Sequence, residues 1–137
     1  MLKIQQDAED FLLAAGMEPR YHISRLEGDE LHLRANLILE EHDELQEALV
    51  KGNEAEICKE IVDLIYVTVQ AASEMGINLE PVWDAVQRSN MEKFGPGGPK
   101  RSETGKILKP DDWRAPNINS ILRQQELGLG SFSEDLM

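Results

Sequence analysis

Cysteine, positive charge and long apolar runs are all scarce in this sequence, and each scarcity excludes a class of protein. The single cysteine, Cys58, cannot form an internal disulfide, which argues against a disulfide-stabilised secreted domain. No stretch approaches the roughly 18 consecutive apolar residues that a membrane-spanning helix needs. Residues 1–16 are acidic and amphipathic, unlike a signal peptide. We therefore expect a cytoplasmic protein without a membrane partner.

The charge balance bears on the choice of ligand. The 14 lysines and arginines face 26 aspartates and glutamates, which gives a formal net charge of -12. Most of such a surface would repel a phosphate backbone, so nucleic acid is not expected as a partner. A small phosphorylated ligand is still compatible with this charge, because divalent cations held by carboxylates reverse the local sign of the field.

Sustained alternation of apolar and polar residues is also absent, so the predicted fold is all-α. The 137 residues fit one domain, predicted to span residues 1–126 and to be followed by a flexible tail at 127–137. Helical spacing of apolar residues predicts four main helices, at about 2–15, 30–50, 54–75 and 78–94, and one further short helix at 117–126. Only two or three residues separate the second and third helices, which should therefore pack as an antiparallel hairpin.

Two pairs of acidic residues lie on this predicted hairpin. Glu41 and Glu44 are three residues apart on the second helix, and Glu60 and Asp63 are three apart on the third, so each pair shares a helix face. In an antiparallel hairpin the two pairs converge at similar depth, where four carboxylates without a cation would repel each other. Ligands that are all oxygen favour Mg²⁺ or Mn²⁺ over zinc.

Each pair also has an ordinary structural explanation. Glutamate is a good helix former, and "EEHDE" taken alone is typical of a solvated helix face. The second pair argues more strongly for a site, because "KEIVDLIYV" places Glu60 and Asp63 among isoleucine, valine and leucine side chains. A solvated acid rarely has such neighbours.

Four segments in order, "EEHDE", "EIVDLIYV", "RSNMEKFGP" and "TGKILKPDDW", resemble the MazG-like branch of the all-α nucleoside triphosphate pyrophosphohydrolases. The resemblance extends over about residues 4–121. Related enzymes include the all-α dUTPases, phage enzymes of the MazZ type and phosphoribosyl-ATP pyrophosphohydrolase. The resemblance implies a four-helix bundle with a basic C-terminal loop, assembled as a homodimer or homotetramer.

The resemblance also implies roles for individual residues. Glu41, Glu44, Glu60 and Asp63 match the family's metal ligands, which would hold Mg²⁺, with Mn²⁺ as a substitute. Glu40 matches the glutamate proposed in relatives to orient or deprotonate the attacking water. The implied reaction is hydrolysis of a (deoxy)nucleoside triphosphate between its α and β phosphates, which yields a monophosphate and pyrophosphate.

Five residues outside the hairpin are candidates for substrate binding: Asn90, Lys93, Lys106, Lys109 and Trp113. Asn90 and Lys93 lie three apart at the end of the fourth helix, although a lysine there also suits the helix dipole. Lys106 and Lys109 match the family's GKxLK element, although a basic loop is often merely solvated. Trp113 has two explanations, stacking on a base or covering the core.

The predicted substrate is a (d)NTP such as dGTP or GTP, and two alternatives stay open. The first is an all-α dUTPase acting on dUTP and dUDP, which would share the same carboxylates and differ in its base pocket. The second is a non-catalytic helical dimerisation module whose acidic residues are only surface, which predicts no metal binding.

Overall fold

The computed structural model describes residues 1–136, with side chains described through residue 128. This part of the chain contains α-helices and two isolated bridges, but no β-strand. The all-α prediction is therefore confirmed, and the described residues form five helices, the last of which extends the short helix predicted at 117–126. They are α1 (Lys3–Ala14), α2 (Gly28–Lys51), α3 (Glu54–Glu74), α4 (Glu80–Met91) and α5 (Ile118–Leu136).

Local capping chemistry explains why α2 and α3 end and begin where they do. Gly52 closes α2 in the left-handed conformation, with a φ of 78°, which glycine adopts without steric cost. The next residue, Asn53, caps α3, because its side-chain oxygen accepts a 2.9 Å hydrogen bond from the backbone N–H of Glu56. The two helices are thus joined by only two residues.

Helix α3 is the central element, and both of its neighbours run antiparallel to it. On the α2 side, Arg34 meets Glu74, whereas Glu41, further along α2, approaches Glu60, nearer the start of α3. The predicted hairpin is therefore present. On the α1 side, Gln5 bonds to Ser73, and Phe11 packs edge-on against Tyr66 with ring centroids 5.8 Å apart.

A buried polar network sets how α2 lies against α3. The Arg34 guanidinium is almost fully buried and donates hydrogen bonds to Glu74 Oε1 at 2.5 Å and to Gln70 Oε1 at 2.6 Å. It also donates to the backbone oxygen of Val67 at 3.2 Å. Because a buried guanidinium is tolerated only when it is paired, the network favours one alignment of the two helices.

Helix α4 buries a different face from the one its sequence predicts. Val82, Trp83, Val86 and Met91 recur at helical spacing, which predicts that they face the core, but the structure buries Ala85 and Ser89 and leaves Trp83 62% exposed. The reason is that, within the described part of the chain, the only helix that α4 contacts is α5. Much of the apolar side of α4 therefore remains exposed in the protomer.

Helix α5 begins one residue after the predicted position and continues past Glu126. Two adjacent residues of α5, Gln125 and Glu126, attach the helix to two loops. The Gln125 amide exchanges hydrogen bonds with the backbone N–H and C=O of Asn78, at 3.0 and 2.8 Å. The Glu126 carboxylate accepts a 2.8 Å bond from the backbone N–H of Ile23. The predicted tail, residues 127–137, lies mostly outside the described side chains.

The described side chains form a small apolar interior. Its buried apolar members are one leucine and four alanines: Ala8, Leu12, Ala48, Ala72 and Ala85. Many larger apolar side chains remain exposed instead, among them Phe11 on α1 and Val62 on α3.

None of the described helices combines the length and the apolar character that crossing a membrane would require.

Candidate active site

Three carboxylates converge between α2 and α3. Glu41 on α2 and Glu60 and Asp63 on α3 each offer one oxygen, and these oxygens lie within 4.8 Å of one another. Helix periodicity places Glu60 and Asp63 on one face of α3, and the antiparallel hairpin places Glu41 opposite them. We call these three residues the carboxylate cluster.

Two oxygens of the cluster have no hydrogen-bond partner. Glu41 Oε2 and Glu60 Oε2 are both buried from solvent, and they are the only such unpartnered atoms among the described side chains. A buried polar atom normally pairs, because leaving it unpaired costs about 1–3 kcal/mol. Unpartnered carboxylate oxygens that share a site fit the oxygen ligands that a hard divalent cation prefers.

The electrostatics of Glu41 agree with this geometry. Partial burial raises the pKa of the Glu41 carboxyl above its usual value, and the nearby carboxylates of Glu44, Asp63 and Glu60 raise it further. Without a bound cation, the negatively charged carboxylates of the site therefore repel one another. A cation would relieve this repulsion.

Lys59 lies beside the carboxylate cluster and was missed by the sequence interpretation. The Lys59 ammonium lies 2.7 Å from Asp63 Oδ2 and 3.6 Å from Glu60 Oε1, and its side chain is largely exposed. The hydrogen bond to Asp63 is the main reason that the pKa of Lys59 is raised. The signal was present as a lysine four residues before Asp63 on the same helix, a spacing that brings the two side chains together.

The other two acidic candidates lie around the cluster on α2. Glu44 is exposed and contributes negative charge next to Glu41, but it is not among the three converging carboxylates. Glu40 is also exposed and precedes Glu41 directly. Its side chain makes no described hydrogen bond, and its exposure leaves the carboxylate accessible to water.

A second group of candidates consists of Lys93, Lys109 and Trp113, and we call these three residues the basic group. The ammonium groups of Lys93 and Lys109 lie 5.4 Å and 4.6 Å from the ring centroid, which is cation–π distance. The indole Nε1 donates a 2.7 Å hydrogen bond to the backbone oxygen of Ser89 on α4. The structure thus brings three of the five substrate-binding candidates together, on a ring anchored to α4.

The remaining two candidates lie outside this group. Asn90 is exposed near the end of α4, and Lys106 is exposed on a turn in which its backbone N–H bonds to Ser102 Oγ at 3.1 Å. In the described part of the chain, no hydrogen bond or ion pair connects any of the five candidates to the carboxylate cluster. Helix α4, which anchors Trp113, also makes no contact with α2 or α3 among the described residues.

A comparison with family sequence models decides the classification. The model of phosphoribosyl-ATP pyrophosphohydrolase matches residues 11–90 of the chain. The chain belongs to this family. The family is part of the MazG-like superfamily of all-α nucleoside triphosphate pyrophosphohydrolases, so the predicted resemblance is confirmed. No curated protein matches the chain.

Family membership supports pyrophosphohydrolase activity on a nucleotide-like substrate. The matched region contains the whole carboxylate cluster together with Glu40, Glu44 and Asn90. It ends before Lys93, Lys106, Lys109 and Trp113. The family match therefore bears on the acidic site more than on the basic group.

Proposed function

We propose that the protein hydrolyses a (deoxy)nucleoside triphosphate between its α and β phosphates in a metal-dependent reaction, releasing the nucleoside monophosphate and pyrophosphate. The observation that carries the proposal is the pair of buried, unpartnered oxygens on Glu41 and Glu60. Together with Asp63 they form an all-oxygen site on a chain whose family consists of pyrophosphohydrolases.

Mg²⁺ is the proposed cofactor, and Mn²⁺ should replace it. Glu41, Glu60 and Asp63 would hold the metal, with Glu44 as a further acidic group beside Glu41. When bound, the ion supplies charge neutralisation for the triphosphate and lowers the pKa of a coordinated water.

Two residues at the edge of the cluster have proposed roles toward water and substrate. Exposed Glu40 orients the attacking water and accepts its proton. Lys59 now pairs with Asp63, and its long, exposed side chain can turn outward to meet a phosphate once a cation takes its place.

The basic group is proposed to bind the substrate outside the metal site. Lys93 and Lys109 present two ammonium groups to phosphate oxygens, with Asn90 and Lys106 as additional donors. Trp113 offers a ring face for a base, although the two lysines already lie against the indole. Small nucleotides, not nucleic acid, are the proposed ligands of this acidic protein.

The family match suggests a second candidate substrate. The matched family model is that of phosphoribosyl-ATP pyrophosphohydrolase, so phosphoribosyl-ATP is the specific alternative to a simple (d)NTP. Both compounds present a triphosphate to the same carboxylates. They differ in the phosphoribosyl group attached to the adenine, which only a larger base pocket would accept.

The test is pyrophosphate release from the eight common NTPs and dNTPs and from phosphoribosyl-ATP, with Mg²⁺, with Mn²⁺ and with a chelator. We expect turnover of at least one substrate that requires the metal and is abolished in Glu60→Gln. Asp43→Asn is the matched control, since Asp43 is an exposed acid on α2 outside the cluster. Turnover that persists in the chelator would contradict the proposal.

Self-association is proposed on the basis of the exposed apolar surface. Ile4 on α1 and Val62 and Ile65 on α3 line a cleft of about 210 Å³ between the two helices, and exposed Phe11 packs against Tyr66, which also lines it. A second copy of the chain would cover this face and compensate for the small interior. We propose a homodimer or homotetramer, acting in the reducing cytoplasm, where exposed Cys58 stays a free thiol.

A further inference from the structure

A polar groove of about 400 Å³ lies between α4 and the first half of α5. Arg88 and Ser89 line it from the end of α4, Glu92 lines it from the C-cap of that helix, and Ser120 and Gln124 line it from α5. Glu92 follows Arg88 by four residues and Ser89 by three, and Gln124 follows Ser120 by four, so each helix turns one face toward the same space. We call this cavity the α4–α5 groove.

The end wall of the groove is held in place by hydrogen bonds. Trp113 is tied to the Ser89 backbone oxygen, and the Ser89 hydroxyl, which is buried, donates to the backbone oxygen of Arg114 at 3.4 Å. Arg114 is thereby positioned beside α4. Asn117, next along the wall, accepts a 3.0 Å bond from the Ser120 N–H, which leaves its side-chain NH₂ available to a ligand.

The two arginines of the groove differ from three of the five other arginines of the chain. Arg20, Arg25 and Arg34 each pair with a glutamate. Arg88 and Arg114, by contrast, have no carboxylate within ion-pair distance among the described residues, although acidic residues outnumber basic ones by 26 to 14. Two unpaired guanidinium groups that line one cavity form a site suited to an anion, and phosphate in particular, because guanidinium binds it with two hydrogen bonds.

The remaining lining groups narrow the class of ligand. Glu92 accepts hydrogen bonds, and the amides of Asn117 and Gln124 both donate and accept them. A bare inorganic anion would accept hydrogen bonds from the arginines and the amides, but it would leave the acceptor oxygens of Glu92, Asn117 and Gln124 unused. A phosphate ester that also carries hydroxyl or amino groups would use both halves of the groove. The volume of about 400 Å³ lies in the range of small-molecule sites.

We infer that the α4–α5 groove binds a small organic phosphate monoester with hydroxyl or amino donors, the phosphate lying against Arg88 and Arg114. None of the lining residues belongs to the carboxylate cluster or to the candidates for catalysis and substrate binding. The site requires no divalent ion, and it stands whether or not the proposed hydrolysis is correct.

The test is isothermal titration calorimetry of the full chain in a buffer that contains a chelator. The chelator removes divalent cations, so a metal-dependent site does not contribute to the measured binding. The probes are AMP and GMP, with adenosine and inorganic phosphate as comparisons. We expect a monophosphate to bind more tightly than either comparison. The double variant Arg88→Gln/Arg114→Gln should weaken that binding by about tenfold or more, because each guanidinium contributes charged hydrogen bonds to the phosphate that the amide cannot replace.

Three controls make the result decisive. Arg123→Gln removes the same charge from an exposed position of α5 outside the groove, and it should bind like the wild type. Circular dichroism establishes that the double variant is folded, and each single variant is measured in the same way. Amide shifts of Ser89 and Ser120 on addition of AMP would locate the ligand.

Several outcomes would overturn the inference. These are no binding of either monophosphate at millimolar concentration, equal binding by the double variant and the wild type, or amide shifts confined to α2 and α3. Inorganic phosphate binding as tightly as AMP would overturn the assignment of an organic ester.

Discussion

Glu41 on α2 and Glu60 on α3 face each other across the central hairpin, and each buries one carboxylate oxygen without a hydrogen-bond partner. The pair is unfavourable in the protein alone, because two like charges are held close together and partly out of water. Such a pair is expected where binding of a cation offsets the cost. The stability of the metal-free protein should therefore report on the site.

The first prediction concerns Glu41→Gln in metal-free buffer at neutral pH. The amide removes one negative charge from the cluster and can donate to a neighbouring carboxylate, so we expect the melting temperature to rise. A gain of about 1 kcal/mol would correspond to roughly 3–6 °C for a domain of this size. Differential scanning calorimetry measures the change. The same variant should lose the stabilisation by Mg²⁺ that binding linkage gives the wild type.

The second prediction is a pH dependence of stability. The pKa of Glu41 is raised in the folded protein, so folding favours its protonated form. Its contribution to stability is present below the unfolded pKa and is lost as the pH rises through the folded pKa. The metal-free wild type should lose stability over this window relative to Glu41→Gln, as followed by thermal melts at a series of pH values. Saturating Mg²⁺ should reverse the trend, since it binds the deprotonated site.

The third prediction concerns the buried pair of Arg34 and Glu74. Glu74→Ala leaves the buried guanidinium without its carboxylate, and we expect a loss of about 3–5 kcal/mol in the free energy of unfolding. Urea denaturation measures it. Glu27→Ala, which unpairs the exposed Arg25, is the matched control and should cost less than about 1 kcal/mol. Equal costs for the two variants would show that the buried network does not hold α2 against α3.

The fourth prediction separates two roles of Trp113. Trp113→Phe keeps a ring for the two lysines but loses the hydrogen bond to Ser89, and should cost about 1 kcal/mol of stability. Trp113→Ala also removes the ring, and should in addition raise the KM for the substrate. Steady-state kinetics of both variants distinguish the roles. A KM unchanged in Trp113→Ala would assign the indole to structure alone.

The fifth prediction tests self-association. Val62 is 57% exposed on the face where α1 meets α3, and a charge there would be placed in the proposed interface. Val62→Glu should give a smaller particle than the wild type in light scattering. Val50→Glu, an exposed apolar position at the end of α2, is the control and should leave the mass unchanged. A wild type that is already monomeric would contradict the proposed assembly.

The sequence predicts most accurately the helices whose ends are determined by residues adjacent in the chain. The predicted bounds of 30–50 and 54–75 lie within two residues of α2 and α3, because Gly52 and Asn53 determine the junction locally. The orientation of α4 could not be obtained in this way. An apolar pattern containing Trp83 predicts that a surface is suited to burial, but it does not predict whether another part of the same chain covers that surface.

The same distinction applies to the site. Glu60 and Asp63 were recognisable because their spacing and their apolar neighbours are local features, and the short connection to α2 placed Glu41 opposite them. The contact between Lys59 and Asp63 is also local, because a lysine four residues before an aspartate lies on the same helix face. The arrangement of Lys93 and Lys109 around Trp113 depends on how a long loop folds, which helical periodicity does not describe.

The most direct test of the central claim is ³¹P NMR of the products formed from a turned-over triphosphate in the presence of Mg²⁺. Cleavage between the α and β phosphates predicts equal amounts of nucleoside monophosphate and pyrophosphate, with no reaction in Glu60→Gln. Formation of the diphosphate with orthophosphate, or product formation by Glu60→Gln at the wild-type rate, would contradict it.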